Sequence, residues 1–282
     1  MRRKAALVLL VILAAGMLWG TGIAEDAREF LDAEDTAMRL PDEILMTYFT
    51  DTVFAGDSQV AKFRNFVKVK RKDDPDYFAG VDFRAANSYK FRYVTYKKLE
   101  ESEGAHLTDG GSKVTLYTIA KKVQPKRLFL LAGLNDAFTT DYTQKRHGKD
   151  ETGYDRAARY VREMTELVRS VSPDTQIYII SQMPVTKDFV QGSHKGKDAQ
   201  ERFDLVNETV RQECEALGIR YVDLATGLKG ENGLLPSAYC GDGLVHLNDE
   251  GYEIFARELL DFAQAEYEAG NWVPAAAEAG EE

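Results

Sequence analysis

Four residues of this chain have types and placements that suit acyl-transfer chemistry: Ser58, Asn135, Asp242 and His246. Ser58 ends the tripeptide Gly56-Asp57-Ser58, which follows the apolar run Thr52-Val53-Phe54-Ala55. That run reads as a short buried strand, and the glycine lets the chain turn sharply at its end. The serine is then left exposed at a strand's carboxyl end, opening a helix. An open α/β sheet puts its ligand there, and a nucleophile is useful there. Gly-Asp-Ser is also ordinary turn and N-cap chemistry, so its weight depends on two later segments.

The first is Leu131-Ala132-Gly133-Leu134-Asn135-Asp136, beyond the apolar run Leu128-Phe129-Leu130-Leu131. In a doubly wound sheet the first and third strands are neighbours, and the crevice between them is the switch point. Ser58 and Asn135 would then face one pocket. A serine nucleophile needs donors for the oxyanion it creates, and an asparagine amide supplies one. The second segment is Cys240-Gly241-Asp242-Gly243-Leu244-Val245-His246-Leu247-Asn248, ahead of the last helix. Of the four histidines, His106, His147 and His194 sit in polar, glycine-containing stretches that read as exposed loops. His246 alone lies between apolar residues and near an aspartate. That suits a general base whose second ring nitrogen is held by a carboxylate. Asp57 and Asp136 read as turn braces. Nucleophile, oxyanion donor and base thus fall after separate strands on one expected sheet edge, as an acyl-transfer site requires.

The elements that must position them alternate. Strands are expected over Thr52–Ala55, Val81–Arg84, Arg127–Ala132, Gln176–Ser181 and Arg220–Asp223. Between them run helical stripes. Val161, Met164, Val168 and Val171 form one, ahead of Pro173. Phe203, Val206, Val210, Cys214 and Leu217 form another, closed by Gly218. Tyr252, Phe255, Leu259 and Phe262 form a third, with Asn248 or Asp249 as N-cap. Repeated strand–helix alternation implies a parallel sheet of about five strands with helices on both faces.

At this point the chain resembles the SGNH hydrolases, the GDSL-like lipases and acylhydrolases, over most of Thr52 to Phe262. Gly56-Asp57-Ser58 looks like their first block, Gly133-Leu134-Asn135-Asp136 like their third, and Asp242 to His246 like their last. The resemblance implies a flavodoxin-like, three-layer α/β/α fold and metal-free hydrolysis of acyl esters. It assigns Ser58, His246 and Asp242 as a catalytic triad, with the Ser58 N–H and the Asn135 side chain in an oxyanion hole. Two departures stand out. Three residues separate Asp242 from His246, where the family has two. The second block normally offers a glycine N–H; here Gly80 precedes the strand, and Ala86 or Asn87 after it are the other choices.

The bulk properties bound the partners. The 282 residues are 44% hydrophobic and carry a formal net charge of −10. That charge repels nucleic acid and anionic lipid, so no nucleic-acid partner is expected. The basic clusters Lys68 to Lys72 and Lys121 to Arg127 read as solvated faces. Arg2-Arg3-Lys4 precedes an uncharged stretch from Ala5 to Ala24, which reads as a signal peptide or an uncleaved anchor. Export is expected either way, with membrane contact only through that segment. The expected organisation is a leader over 1–24, a linker over 25–40, a domain over 41–267 and a flexible acidic tail over 268–282.

Two cysteines, Cys214 and Cys240, exclude a disulfide scaffold and a cysteine-rich zinc site; they are expected as two free thiols, although export would permit one bridge. No His-Glu-x-x-His spacing and no glycine-rich phosphate loop occur, so neither metal nor cofactor is expected. Polar loops over 139–153 and 185–197 should emerge on the catalytic edge, and neither has the apolar character of a lipase lid. Together with export they favour a small-molecule or polysaccharide acyl ester as substrate. The same triad would also serve an O-acetyltransferase, and the same fold a non-catalytic binding or assembly protein.

Overall fold

The structure is a computed structural model, and it describes residues 39–101, 104–137, 152–192 and 199–274. The architecture below belongs to the unit that begins at Pro41. The stretch 5–24, the histidines His147 and His194, and residues 139–151 and 193–197 of the two expected polar loops lie outside the described residues; the described part of the second is not loop throughout, because Lys187–Gly192 is helical.

Five parallel strands form the central sheet: β1 (Thr52–Gly56), β2 (Val81–Ala85), β5 (Arg127–Leu131), β6 (Gln176–Ile180) and β7 (Arg220–Val222). Their order is β2-β1-β5-β6-β7, so the strand that precedes Ser58 and the one that precedes Asn135 are neighbours. Thr52 pairs with Arg127 and Gly56 with Leu131, so the two strands end level. A short antiparallel hairpin, β3 (Leu107–Asp109) and β4 (Ser112–Val114), lies beside this sheet; the hydrophobic pattern did not suggest it. Three residues per strand are too few for a period-two signal.

Among the described residues the α-helices are α1 (Asp42–Met46), α2 (Ser58–Lys70), α3 (Leu116–Val123), α4 (Leu134–Ala137), α5 (Gly153–Arg169), α6 (Lys187–Gly192), α7 (Ala199–Leu217), α8 (Ala225–Leu228) and α9 (Asp249–Glu268). The three stripes read from sequence fall in α5, α7 and α9, except that Val171 lies two residues past the end of α5. Asn248 caps α9 by accepting from the Gly251 N–H. Gly218 follows α7 with φ +62°.

Alternation along each strand makes two cores. On one face Phe83, Phe54, Phe129 and Tyr178 are register neighbours across β2, β1, β5 and β6. Phe54 stacks on Phe129 at 4.8 Å and Phe129 on Tyr178 at 4.3 Å. Phe63 of α2 and Phe255 and Phe262 of α9 cover that face. On the other, Val53, Ala55, Leu128, Leu130, Ile177 and Ile179 join the inner faces of α3, α5 and α7. Strands covered on both faces read as continuous apolar runs, and β1 and β5 are buried at every residue. The fold is the expected three-layer α/β/α sandwich.

Three expectations need correction. Arg127 is not part of a solvated face. It is 3% exposed, and its guanidinium lies 3.9 Å from the Tyr48 ring centroid, because it begins a central strand. His106 is half-buried, since the next residue, Leu107, begins β3 and enters the core. The first residues of the expected flexible tail are packed instead: Trp272 is buried and lies edge-on against Tyr48 at 5.2 Å. Cys214 and Cys240 are both free, and burial pushes the Cys214 thiol up to about 12.

Candidate active site

The nucleophile position is built by a glycine. At the end of β1 the chain lies against β5 so closely that a Cβ on Gly56 would meet the Leu131 carbonyl oxygen. The Asp57 N–H donates to that same oxygen at 3.1 Å, turning the chain off the sheet. Asp57 then caps α2, its Oδ1 accepting from the Gln59 N–H at 3.0 Å. Ser58 is the first residue of the helix, where backbone N–H groups have no partner within the helix.

His246 reaches the same point from the other end of the chain. Its Nε2 lies 2.8 Å from Ser58 Oγ, and its Nδ1 lies 2.5 Å from Asp242 Oδ2. An ionised carboxylate only accepts, so Nδ1 carries the proton and Nε2 keeps the lone pair that takes the serine hydroxyl. Burial works against charge on Asp242. The His246 hydrogen bond and the N–H groups of Val245, Leu244 and His246 outweigh it and hold the carboxyl well below the usual range. The arrangement can draw a proton from Ser58 and hold it on an imidazolium next to a carboxylate.

The extra residue between Asp242 and His246 is absorbed by the loop itself. Asp242 Oδ1 accepts the N–H groups of Leu244, Val245 and His246 at 2.8, 2.9 and 3.1 Å. Gly243, at φ +74°, supplies the left-handed residue that curls the backbone around that oxygen. Thr186, beyond β6, holds the loop from outside: its hydroxyl donates to the Gly243 carbonyl at 2.6 Å and its N–H to the Leu244 carbonyl at 3.0 Å. One carboxylate oxygen therefore folds the loop while the other orients the ring.

Asn135 lies in α4, just beyond β5, and donates from Nδ2 to the Tyr89 carbonyl at 3.1 Å. Asp136 accepts the Phe91 N–H at 2.8 Å. Both tie the β5 end to the segment that follows β2, across the top of β1. That segment is where the three alternatives for a further donor separate. Gly80 is at the wrong edge: it precedes β2, and its Cα faces Thr50 and Asp51 at the amino end of β1. The Ala86 N–H is spent on the Gly56 carbonyl at 3.0 Å. Asn87 remains, exposed on the turn, together with Ser88, which the sequence reading passed over and which takes φ +60°.

Asp57 and Asp136 brace turns, as expected, but as unusual acids. Burial pushes Asp57 up to about 7, helped by the neighbouring charge of Asp136 and opposed by the Gln59 N–H. Burial pushes Asp136 up to about 6. Asp57 Oδ2 has no hydrogen-bond partner among the described residues. A raised folded value favours the protonated form, so this contribution is full below the ordinary 3.8 and is lost as pH rises through about 7. Asp57→Asn keeps the capping oxygen and removes the charge. Its stability relative to the unchanged protein should grow by about 1–3 kcal/mol between acid and mildly alkaline pH. Denaturant unfolding at the two ends of that window measures this; a pH-independent difference would contradict it.

The family model for the GDSL-like Lipase/Acylhydrolase family matches residues 91–254. That span is more than half of the chain, and the chain belongs to this family. It contains Asn135, Asp242 and His246 and begins beyond Ser58. The chain is accordingly a hydrolase acting on ester bonds. No curated protein matches it in sequence.

Solved structures share the fold. One is a candidate platelet activating factor of Streptococcus pneumonia, 18% identical, covering 86% of this chain and 100% of its own, at TM-score 0.54. A GDSL-like lipase of Bacteroides thetaiotaomicron VPI-5482 is 16% identical, covering 85% and 97%, at 0.52. A candidate acylhydrolase of Bacteroides fragilis NCTC 9343 is 18% identical, covering 77% and 86%, at 0.51.

Proposed function

We propose that the chain is an exported serine esterase that hydrolyses short acyl esters, acetyl esters of carbohydrate among them, through Ser58, His246 and Asp242. The observation that carries this reading is the hydrogen-bonded series from Ser58 Oγ through both nitrogens of His246 to the Asp242 carboxylate. Ser58 Oγ attacks the ester carbonyl and gives its proton to His246 Nε2. The tetrahedral oxyanion accepts from the Ser58 N–H, the Asn135 amide and an N–H of the Asn87–Ser88 turn. On collapse His246 protonates the departing alcohol, and a water molecule repeats the sequence to release the acid. Each oxyanion donor of this kind is worth about 10²–10³ in rate. Asp57 and Asp136 keep their structural parts.

Export rests on Arg2-Arg3-Lys4 and the uncharged stretch that follows; recovery of the chain in the cytosolic fraction of its source cells would remove that element. Short acyl groups rest on the polar composition of the loops over 139–153 and 185–197. The purified chain should hydrolyse p-nitrophenyl acetate at least about tenfold faster than the octanoate in kcat/KM, and should release acetate from acetylated sugars. A preference for the longer chain would redirect the reading to a lipase.

A further inference from the structure

The Ser58–His246 contact joins residues 188 positions apart, and a second bond runs alongside it. Gln59, the residue after Ser58, is 2% exposed. Its Nε2 donates to the carbonyl of Val245, the residue before His246, at 2.7 Å. Among the described residues these are the two hydrogen bonds that join α2 to the loop over 242–246. The amide is also held from a third element. Tyr252 Oη, on α9, lies 3.0 Å from both Gln59 Oε1 and the Gln59 carbonyl, so its single proton is shared between them. A flipped amide would set oxygen against oxygen at Val245, whose carbonyl can only accept, so Val245 fixes the orientation and Tyr252 adds a second anchor. Tyr252 and Val245 are both buried, so the bonds form away from competing water.

We propose that Gln59 is a positioning residue for the reaction: its side-chain amide, oriented by the Val245 carbonyl, sets the distance between Ser58 Oγ and His246 Nε2, and Tyr252 anchors that amide in place. The inference rests on the serine esterase reading given above. The side chain touches neither substrate nor reacting atoms. It ties the neighbour of the nucleophile to the neighbour of the base, so a displacement at Gln59 is transmitted to the proton-transfer distance. Proton transfer in the transition state is steeply dependent on that distance, whereas substrate binding is not. The loop's other hydrogen bonds, those to Asp242 within it, from Gly241 beside it and from Thr186 outside it, do not reach α2.

The test uses the full chain with p-nitrophenyl acetate. Gln59→Leu keeps the bulk and removes donor and acceptor. It should lower kcat by about 10–100-fold with KM changed less than about twofold. Gln59→Glu adds a signature that simple loosening of the core would not produce. The ionised form cannot donate to Val245, while the protonated form restores one donor and one acceptor. The ratio of Gln59→Glu activity to that of the unchanged chain should therefore rise as pH falls from about 8 to about 6, and the Gln59→Leu ratio should stay flat. Each variant is compared with the unchanged chain at the same pH.

Folded Gln59→Leu protein with kcat within about twofold of the unchanged chain would overturn the proposal, as would a Gln59→Glu ratio that ignores pH. If neither Gln59 variant folds, Tyr252→Phe decides: about a three- to tenfold loss in kcat at constant KM supports the proposal, and an unchanged kcat overturns it. Ser58→Ala measured alongside separates the two levels. Activity retained there removes the esterase reading itself, whereas activity lost there but kept in the Gln59 and Tyr252 variants removes only the positioning role.

Discussion

Ser58→Ala is expected to lower kcat for p-nitrophenyl acetate by about 10⁴–10⁶-fold, with little change in KM or thermal stability. The size follows from the mechanism. Without Oγ there is no acyl intermediate, and what remains is water attacking an ester held near oxyanion donors. The specificity follows from the structure. Ser58 is partly exposed, and among the described residues its Oγ is hydrogen-bonded to His246. Alanine at a first helical position costs little, since Asp57 continues to cap α2 through Oδ1. A loss that came with a large fall in melting temperature would point to unfolding rather than chemistry, so both are measured together.

Asp242→Asn should cost nearly as much in kcat, about 10⁴-fold. The asparagine oxygen can still accept the Leu244, Val245 and His246 N–H groups, so the loop should keep its course. The amide nitrogen then faces His246 Nδ1. It can only donate, so Nδ1 must accept and the ring proton moves to Nε2. A protonated Nε2 cannot take the Ser58 proton. The variant should bind an ester normally and fail to turn it over. His246→Ala, with Asp242 intact, should lose a comparable factor. The two changes together should cost little more than either alone, because they disable one proton pathway. Independent, additive losses would show that Asp242 acts elsewhere.

Much of the sheet was legible because its strands are buried on both faces. Runs such as Leu128-Phe129-Leu130-Leu131 carry no alternation to be misread, and Gly56 and Gly218 mark element ends. The helical stripes of α5, α7 and α9 were legible from their period. The placement of Ser58, Asn135 and His246 on one edge followed from topology, since alternating elements in a doubly wound sheet leave few orders. What the sequence did not reveal depends on long-range contacts. Arg127 reads as one more cation in a basic run until Tyr48 is seen against it. Gly80 and Ala86 were reasonable donors until the register placed one at the far edge and gave the other's N–H to Gly56. The three-residue Asp–His spacing stood as a departure from the family pattern, and it becomes a wrapped carboxylate once the three N–H bonds to Oδ1 are seen. Gln59 and Thr186 carry no spacing signal, because each acts through a backbone carbonyl distant in sequence.

The most direct test of the account is to treat the full chain with a fluorophosphonate ester and locate the adduct by mass spectrometry. Such a reagent reacts with a serine only where a base activates it and donors hold the resulting oxyanion. The account predicts a single stoichiometric adduct on Ser58, absent from Ser58→Ala and strongly slowed in Asp242→Asn. An adduct on another residue, or esterase activity that survives with Ser58 unlabelled, would contradict it.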